Sequence, residues 1–139
     1  MRIDVPEQKK LVHELRLPIR WGDMDAMGHV NNIVYFRYFE VLRIEWLAGL
    51  GGQPDPTGTG PVIANTFCNF LVQLEYPGEL IGKVFLANAG RSSFDTFMTL
   101  ERADRPGVIC ANGGATIVWV DFPKHASAPL PDWLRALIG

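Results

Sequence analysis

The chain has 139 residues, two cysteines and a formal net charge of −2. That length points to one domain, large enough to bury a core without staples. A 47% apolar and 20% charged composition is ordinary for a soluble globular protein, and the near-neutral balance gives no reason to expect nucleic acid or an anionic membrane as main partner.

The start, MRIDVPEQKK, is charged and no apolar stretch follows it, so it does not read as a signal peptide. No run approaches the roughly 18 apolar residues of a membrane span. Cys68 and Cys110 each sit in an apolar run. They read as buried free thiols, not a disulfide framework. A reducing, cytoplasmic setting is the expectation.

Residues 14–21 alternate: Leu15, Leu17, Ile19 and Trp21 face one way, Glu14, Arg16 and Arg20 the other. This predicts a half-buried strand, broken by the glycines and acids of Gly22 to Gly28. Asn31 and Asn32 are both suited to cap a helix. From Ile33 to about Leu50, Tyr35, Phe39, Leu42 and Trp46 recur at helical spacing, and Arg37 with Glu40 forms an i, i+3 charge pair on another side. Further apolar residues (Phe36, Val41, Leu47) predict a helix buried on much of its circumference and about 25 Å long.

Residues 49–61, GLGGQPDPTGTGP, read as a loop. It lacks the lysine of a phosphate-binding loop and follows a helix, not a strand. Residues 62–76, 83–91, 93–102 and 108–120 read as strands, joined by connections short enough to make neighbours antiparallel. Gly113-Gly114 marks a bulge or a close approach to the backbone. Residues 131–138 read as a short terminal helix with Pro131 near its start. The order is an α+β one: a curled five-stranded antiparallel sheet around one long helix. Its edge strands need cover, which a dimer continuing the sheet would supply.

Asp23 and Asp25 lie in GDMDAMG. A calcium loop starting at Asp23 would need an Asp or Asn where Met27 stands and a Glu where Val34 stands, so calcium is disfavoured. Glycoside chemistry has only the paired acids in its favour. The ordinary role of such an acid is a turn former or cap. Asp25, however, precedes a helix N-terminus whose free N–H groups can stabilise an oxyanion, and a carboxylate beside such donors suits acyl transfer. His29, His13 and His125 have no zinc spacing, and His29 by itself reads first as a loop-orienting residue. No G-x-S-x-G elbow is present, and neither cysteine has the setting of a reactive thiol. Gly90-Arg91-Ser92-Ser93 is a polar turn or an anion-binding set. Lys83, Arg102 and Arg105 read as solvated charges.

The run WGDMDAMGHVNNIVYFRYFE, residues 21–40, resembles the hotdog-fold acyl-CoA thioesterases of the 4-hydroxybenzoyl-CoA thioesterase class. GRSSF, VWVDF and PLPDWLRALI are similar to that family too, so the resemblance extends over most of the chain, as a single hotdog domain over residues 1–139. It implies Asp25 as catalytic carboxylate, acting as nucleophile or as general base on water. It implies the backbone N–H at Asn32 as the polariser of the thioester carbonyl. Gly28 and His29 fall beside the substrate, and Arg91, Ser92 and Ser93 where the nucleotide and phosphates of CoA are held. It implies no metal or redox cofactor, an acyl-CoA substrate, and a homodimer or homotetramer with sites at the subunit interface.

Hydrolysis of an acyl-CoA is therefore the leading expectation. The HVNN run also occurs in acyl-carrier-protein thioesterases, which leaves the thiol carrier open. A non-hydrolytic acyl-thioester binder and a hotdog dehydratase are the rivals; the dehydratase lacks its Asp and His pair here. The acyl group depends on which of Phe36, Phe67, Phe70 and Trp119 line the site.

Overall fold

The computed structural model describes residues 2–51 and 55–139. Its elements are β1 (Lys10–Ile19), a short 3-10 turn (Trp21–Asp23), α1 (Asn32–Gly49), β2 (Thr59–Phe70), β3 (Gly78–Ala87), β4 (Ser93–Arg102), β5 (Ile109–Asp121), β6 (Ala126–Ser127) and α2 (Asp132–Ile138). The strands form one sheet in the order β1-β3-β4-β5-β2, with β6 also on β5, and every pairing is antiparallel. The sheet is not closed: β1 and β2 are its edges.

Helix α1 packs on one face of this sheet, and two glycines let it approach. A Cβ on Gly82 would lie 2.7 Å from a methyl of Leu42. One on Gly113 would lie 2.6 Å from the Phe39 ring and 2.3 Å from the Phe67 carbonyl. Of the two sequence readings for Gly113-Gly114, the close approach is the one observed; the β4–β5 and β2–β5 registers run unbroken there. Tyr35, Tyr38, Phe39, Leu42, Trp46 and Leu47 are buried, whereas Arg37, Glu40 and Ile44 are exposed, as the helical periodicity predicts. Arg37 and Glu40 pair at 3.1 Å. At the far end of the helix, Trp46 joins Phe94, Ile117 and Trp119 in a second cluster, which α2 closes with Leu134.

The sequence misplaced several boundaries. The first strand covers Lys10–Ile19, not 14–21, and contains a bulge between Leu11 and His13. Trp21 does not continue the inward row: the chain turns after Ile19, and Trp21 is 78% exposed. The strand predicted over 62–76 ends at Phe70 because the N–H groups of Leu71 and Val72 both turn to the Cys110 carbonyl and leave the ladder. The apolar residues beyond it belong to a connection in which Leu74 is fully buried. The next strand is Gly78–Ala87, not 83–91, ending before Asn88, whose φ of 56° does not suit a strand. A sixth strand was not foreseen. Because β4 starts opposite Val118, Val120 and Asp121 are left free on that side of β5, and β6 pairs with them. Of the predicted loop 49–61, residues 52–54 lie outside the described residues.

Candidate active site

The loop between β1 and α1 is held by its two acids, which have different roles. Asp23 Oδ2 accepts from Arg20 N at 2.9 Å and from the Tyr38 hydroxyl at 2.7 Å, and the Asp23 carbonyl accepts from Asn31 N at 2.9 Å. Asp23 thus bolts the loop to the first turns of α1. Burial, and then the hydrogen bond to Asp23, push the Tyr38 phenol far above its ordinary value. Tyr38→Phe is expected to lower stability by about 1–3 kcal/mol, because a carboxylate loses a part-buried donor. Chemical denaturation checks this; an unchanged midpoint would show that the bolt carries no load.

Asp25 is half-buried, and only one of its oxygens is engaged. Oδ1 accepts from Met27 N at 2.9 Å and His29 N at 3.2 Å. Among the described residues Oδ2 has no hydrogen-bond partner. The loop closes on itself through Asp25 N to the His29 carbonyl at 2.7 Å and Gly28 N to the Asp25 carbonyl at 3.2 Å. Gly28 has φ +79°, a conformation open to glycine at little cost. His29 Nε2 lies 3.6 Å from Glu75, and Val30 N donates to the Leu74 carbonyl, so the 71–77 connection is fastened to the same loop.

Helix α1 starts beside this carboxylate. Asn31, not Asn32, is the cap: its side chain accepts from Ile33 N at 3.2 Å. The sequence allowed either. With Asn31 as cap, the Asn32 N–H is the first of the helix and finds no acceptor among the described residues. Such a group adds to the positive end of the helix dipole. Asp25, His29, Asn32, Tyr35, Phe70 and Gln73 line one hollow of about 250 Å³. Tyr35 stands edge-on to Phe70 with centroids 4.8 Å apart. Asp25 also borders a larger hollow of about 550 Å³ with Trp21, Met24 and Tyr76. A free carboxylate oxygen and a free helix-start N–H beside one hollow can activate a nucleophile and stabilise an oxyanion.

The structure brings Asp25, Gly28, His29 and Asn32 together but not Arg91, Ser92 and Ser93. Ile19 pairs with Gly78 at one end of β3 and Lys10 with Leu86 at the other. The Arg91 turn follows the second end, so about 30 Å of strand separates it from the Asp25 loop. Of the four aromatic residues expected near the site, Phe70 lines it. Phe36 packs against the core, Phe67 borders a separate hollow with Ile3 and Asp95, and Trp119 lies in the second cluster. Tyr38, Gln73, Glu75 and Tyr76 went unforeseen. The last three were concealed by reading 71–76 as strand. Tyr38 left only a faint trace, a hydroxyl on an otherwise apolar helix face. Arg102 is no solvated charge: it holds Asp104 and the carbonyls of Glu75 and Pro77, bracing this connection.

Both cysteines are free, as expected. Burial pushes the Cys68 thiol up to about 12 and raises Cys110 as well; burial likewise pushes the Tyr35 phenol up to about 12. For groups whose folded values are raised, the stabilising contribution is full below the unfolded value and is lost as pH rises through the folded one. Stability is therefore expected to fall as pH rises from about 9 towards 12, through Cys68 and Cys110 from the lower end and through Tyr35 and Tyr38 above about 10. Thermal melts across that range check it, and Cys68→Ser should flatten the lower part; a melting curve indifferent to pH there would contradict it.

Residues 19–138 match the model of the thioesterase-like superfamily. The chain belongs to that superfamily. The PA2801 protein of Pseudomonas aeruginosa, which carries a provisional thioesterase assignment, superposes with a TM-score of 0.87 at 33% identity, covering 91% of this chain and 98% of that one. A protein of Xanthomonas campestris, provisionally assigned as an acyl-CoA thioesterase, matches with a TM-score of 0.73 at 32% identity over 79% of this chain and 93% of that one. In sequence, the acyl-acyl carrier protein thioesterase ATL3 of Arabidopsis thaliana is 29% identical over 129 residues, 89% of this chain and 66% of the relative. This thioesterase-like chain has the superfamily's hotdog fold and is a thioester hydrolase. Among the described residues no helix is long and apolar enough to cross a membrane.

Proposed function

We propose that the protein hydrolyses an acyl-CoA to the free acid and CoA, with Asp25 activating the attack. The supporting observation is that Asp25 and Asn32 line the same hollow, one Asp25 oxygen and the Asn32 N–H being unengaged among the described residues. In this reading the thioester carbonyl sits at the helix start. Asp25 either takes a proton from the attacking water or attacks the carbonyl carbon itself. The oxyanion forms against the Asn32 N–H, then collapses and expels the thiolate of CoA, which takes up the proton from water; where Asp25 itself has attacked, water then cleaves the acyl–Asp25 anhydride and restores the carboxylate. Gly28 sets the loop's return, and His29 fixes Asp25 through its backbone.

The site is shared between two copies in this reading. Strand β2 is an unpaired edge carrying exposed Val62, Ile63 and Phe70, and its last residue, Phe70, lines the Asp25 hollow. Val62 is in register with Val118, and Val118 with Ser93. An antiparallel pairing of two β2 strands about a centre near Thr66 would set Val62 of the partner subunit beside Phe70. Ser93 of the partner subunit would then lie three strand spacings away, about 15 Å. That span brings the separated halves of the expected site together along one extended thiol arm. The acyl-acyl carrier protein thioesterase of Arabidopsis supports a second reading, in which the thiol belongs to an acyl carrier protein.

Incubating the protein with acyl-CoA and separating the products tests the proposal. Free acid and CoA in equal amounts are expected. Ester bound and recovered intact would point to a binder, and hydration of an enoyl-CoA to a dehydratase. Light scattering should give at least a dimer; a monomer with full activity would overturn the shared site.

A further inference from the structure

The turn between β3 and β4 is held in an unusual way. The Arg135 guanidinium of α2 donates to the Gly90 carbonyl at 2.7 Å and to the Arg91 carbonyl at 3.1 Å. Leu130 N donates to the same Arg91 carbonyl at 2.9 Å, and Trp119 N to the Ser92 carbonyl at 2.7 Å. Three successive carbonyls are thus drawn towards β5 and the C-terminal segment. A trans peptide unit points its C=O and the following N–H in opposite directions. Fixing the Gly90 and Arg91 carbonyls inward therefore turns the N–H groups of Arg91 and Ser92 outward. Among the described residues neither finds an acceptor. Successive outward N–H groups in a turn that also carries a guanidinium and two hydroxyls make a donor set suited to an anion. The helix that supplies Arg135 is itself anchored: Leu134 is fully buried and Trp133 stacks edge-on against Trp119.

From this we infer that Arg135 is a positioning residue for a phosphate subsite at Arg91–Ser93, although it need not touch the phosphate. It orders the turn and also neutralises the carbonyl ends that would repel an anion. The inference rests on the acyl-thioester reading above, in which this turn meets the phosphates of the thiol arm, and adds to it one requirement: that α2, through Arg135, holds the backbone N–H groups that face them. The phosphate can come from the nucleotide of CoA or from a phosphopantetheine arm.

The test compares wild type, Arg135→Ala and Arg135→Lys on three thioesters of one acyl group: acyl-CoA, acyl-phosphopantetheine and acyl-pantetheine, which has no phosphate. Arg135→Ala is expected to raise KM for a phosphate-bearing ester roughly five- to tenfold, as loss of a charge-assisted hydrogen-bond pair allows. Its kcat should be unchanged, as should both constants for acyl-pantetheine. Arg135→Lys should recover part of the loss. A rise on acyl-CoA alone assigns the subsite to the nucleotide, and an equal rise on acyl-phosphopantetheine assigns it to the arm's own phosphate. An equal loss on all three esters, or no loss on any, would overturn the inference. Calorimetry with CoA itself separates this failure from that of the hydrolytic reading. If nothing is hydrolysed but wild type binds CoA more tightly than Arg135→Ala, the positioning role stands and the hydrolytic reading falls. Equal CoA binding by folded wild type and Arg135→Lys, with Arg135→Ala folded and equal too, removes it.

Discussion

Asp25→Asn is expected to lower kcat by roughly 10²- to 10⁴-fold, the range for loss of a positioned acid–base group, while KM moves little. The local structure supports this separation. The asparagine keeps an oxygen that can accept from Met27 N and His29 N, the two bonds Asp25 Oδ1 makes now. The loop should therefore persist, along with the Asn32 N–H at the helix start. What disappears is the negative charge on the free side of the carboxylate, where an attacking water or the carbonyl carbon would stand. Steady-state kinetics with a melting curve on the same sample checks both halves. A large loss of stability would instead mean that Asp25 serves mainly to build the loop, as Asp23 does.

Gly113→Ala is expected to destabilise the fold by about 3 kcal/mol or more, at the upper end of overpacking costs. The reason lies in what the new methyl would meet. Its position is 2.3 Å from the Phe67 carbonyl and 2.6 Å from the Phe39 ring, backbone on one side and the centre of the helix face on the other. Neither can retreat cheaply, since Phe67 belongs to the β2–β5 ladder and Phe39 is fully buried. At a few degrees per kcal/mol, the melting midpoint should drop by about 10 °C. Gly49→Ala is the control: a Cβ there meets nothing within 4 Å, and alanine is the better helix former. Similar midpoints for the two variants would mean that the helix does not rest on β5 as described. The functional consequence is local, because displacing β2 also moves Phe70 at the hollow.

The parts of this molecule that could be read from sequence are those with a period or a motif. The α1 stripe from Tyr35 to Trp46 fixed the helix to within a residue at each end, because a buried face must repeat every three or four residues. The D-x-D-x-x-G-H-V-N-N run marked the loop and, through its resemblance, the superfamily. The connection 71–77 carried no such mark. Leu71, Val72 and Leu74 look like strand residues, yet Leu74 is buried beneath the loop and its carbonyl holds Val30. A strand and an extended tether have the same apolar signature when both are buried. Trp21 misled for the opposite reason. Alternation placed it inward, but the 3-10 turn after β1 rotates it out beside the Asp25 hollow. Arg135 had no signal at all, because its role depends on carbonyls more than forty residues away in sequence.

Thiol release from a panel of acyl-CoAs, short-chain to long-chain and aromatic, measured side by side with wild type and Asp25→Asn, tests the central claim most directly. At least one ester is expected that wild type cleaves about a hundredfold faster than Asp25→Asn, or more. Equal rates for the two proteins on every ester would contradict the claim.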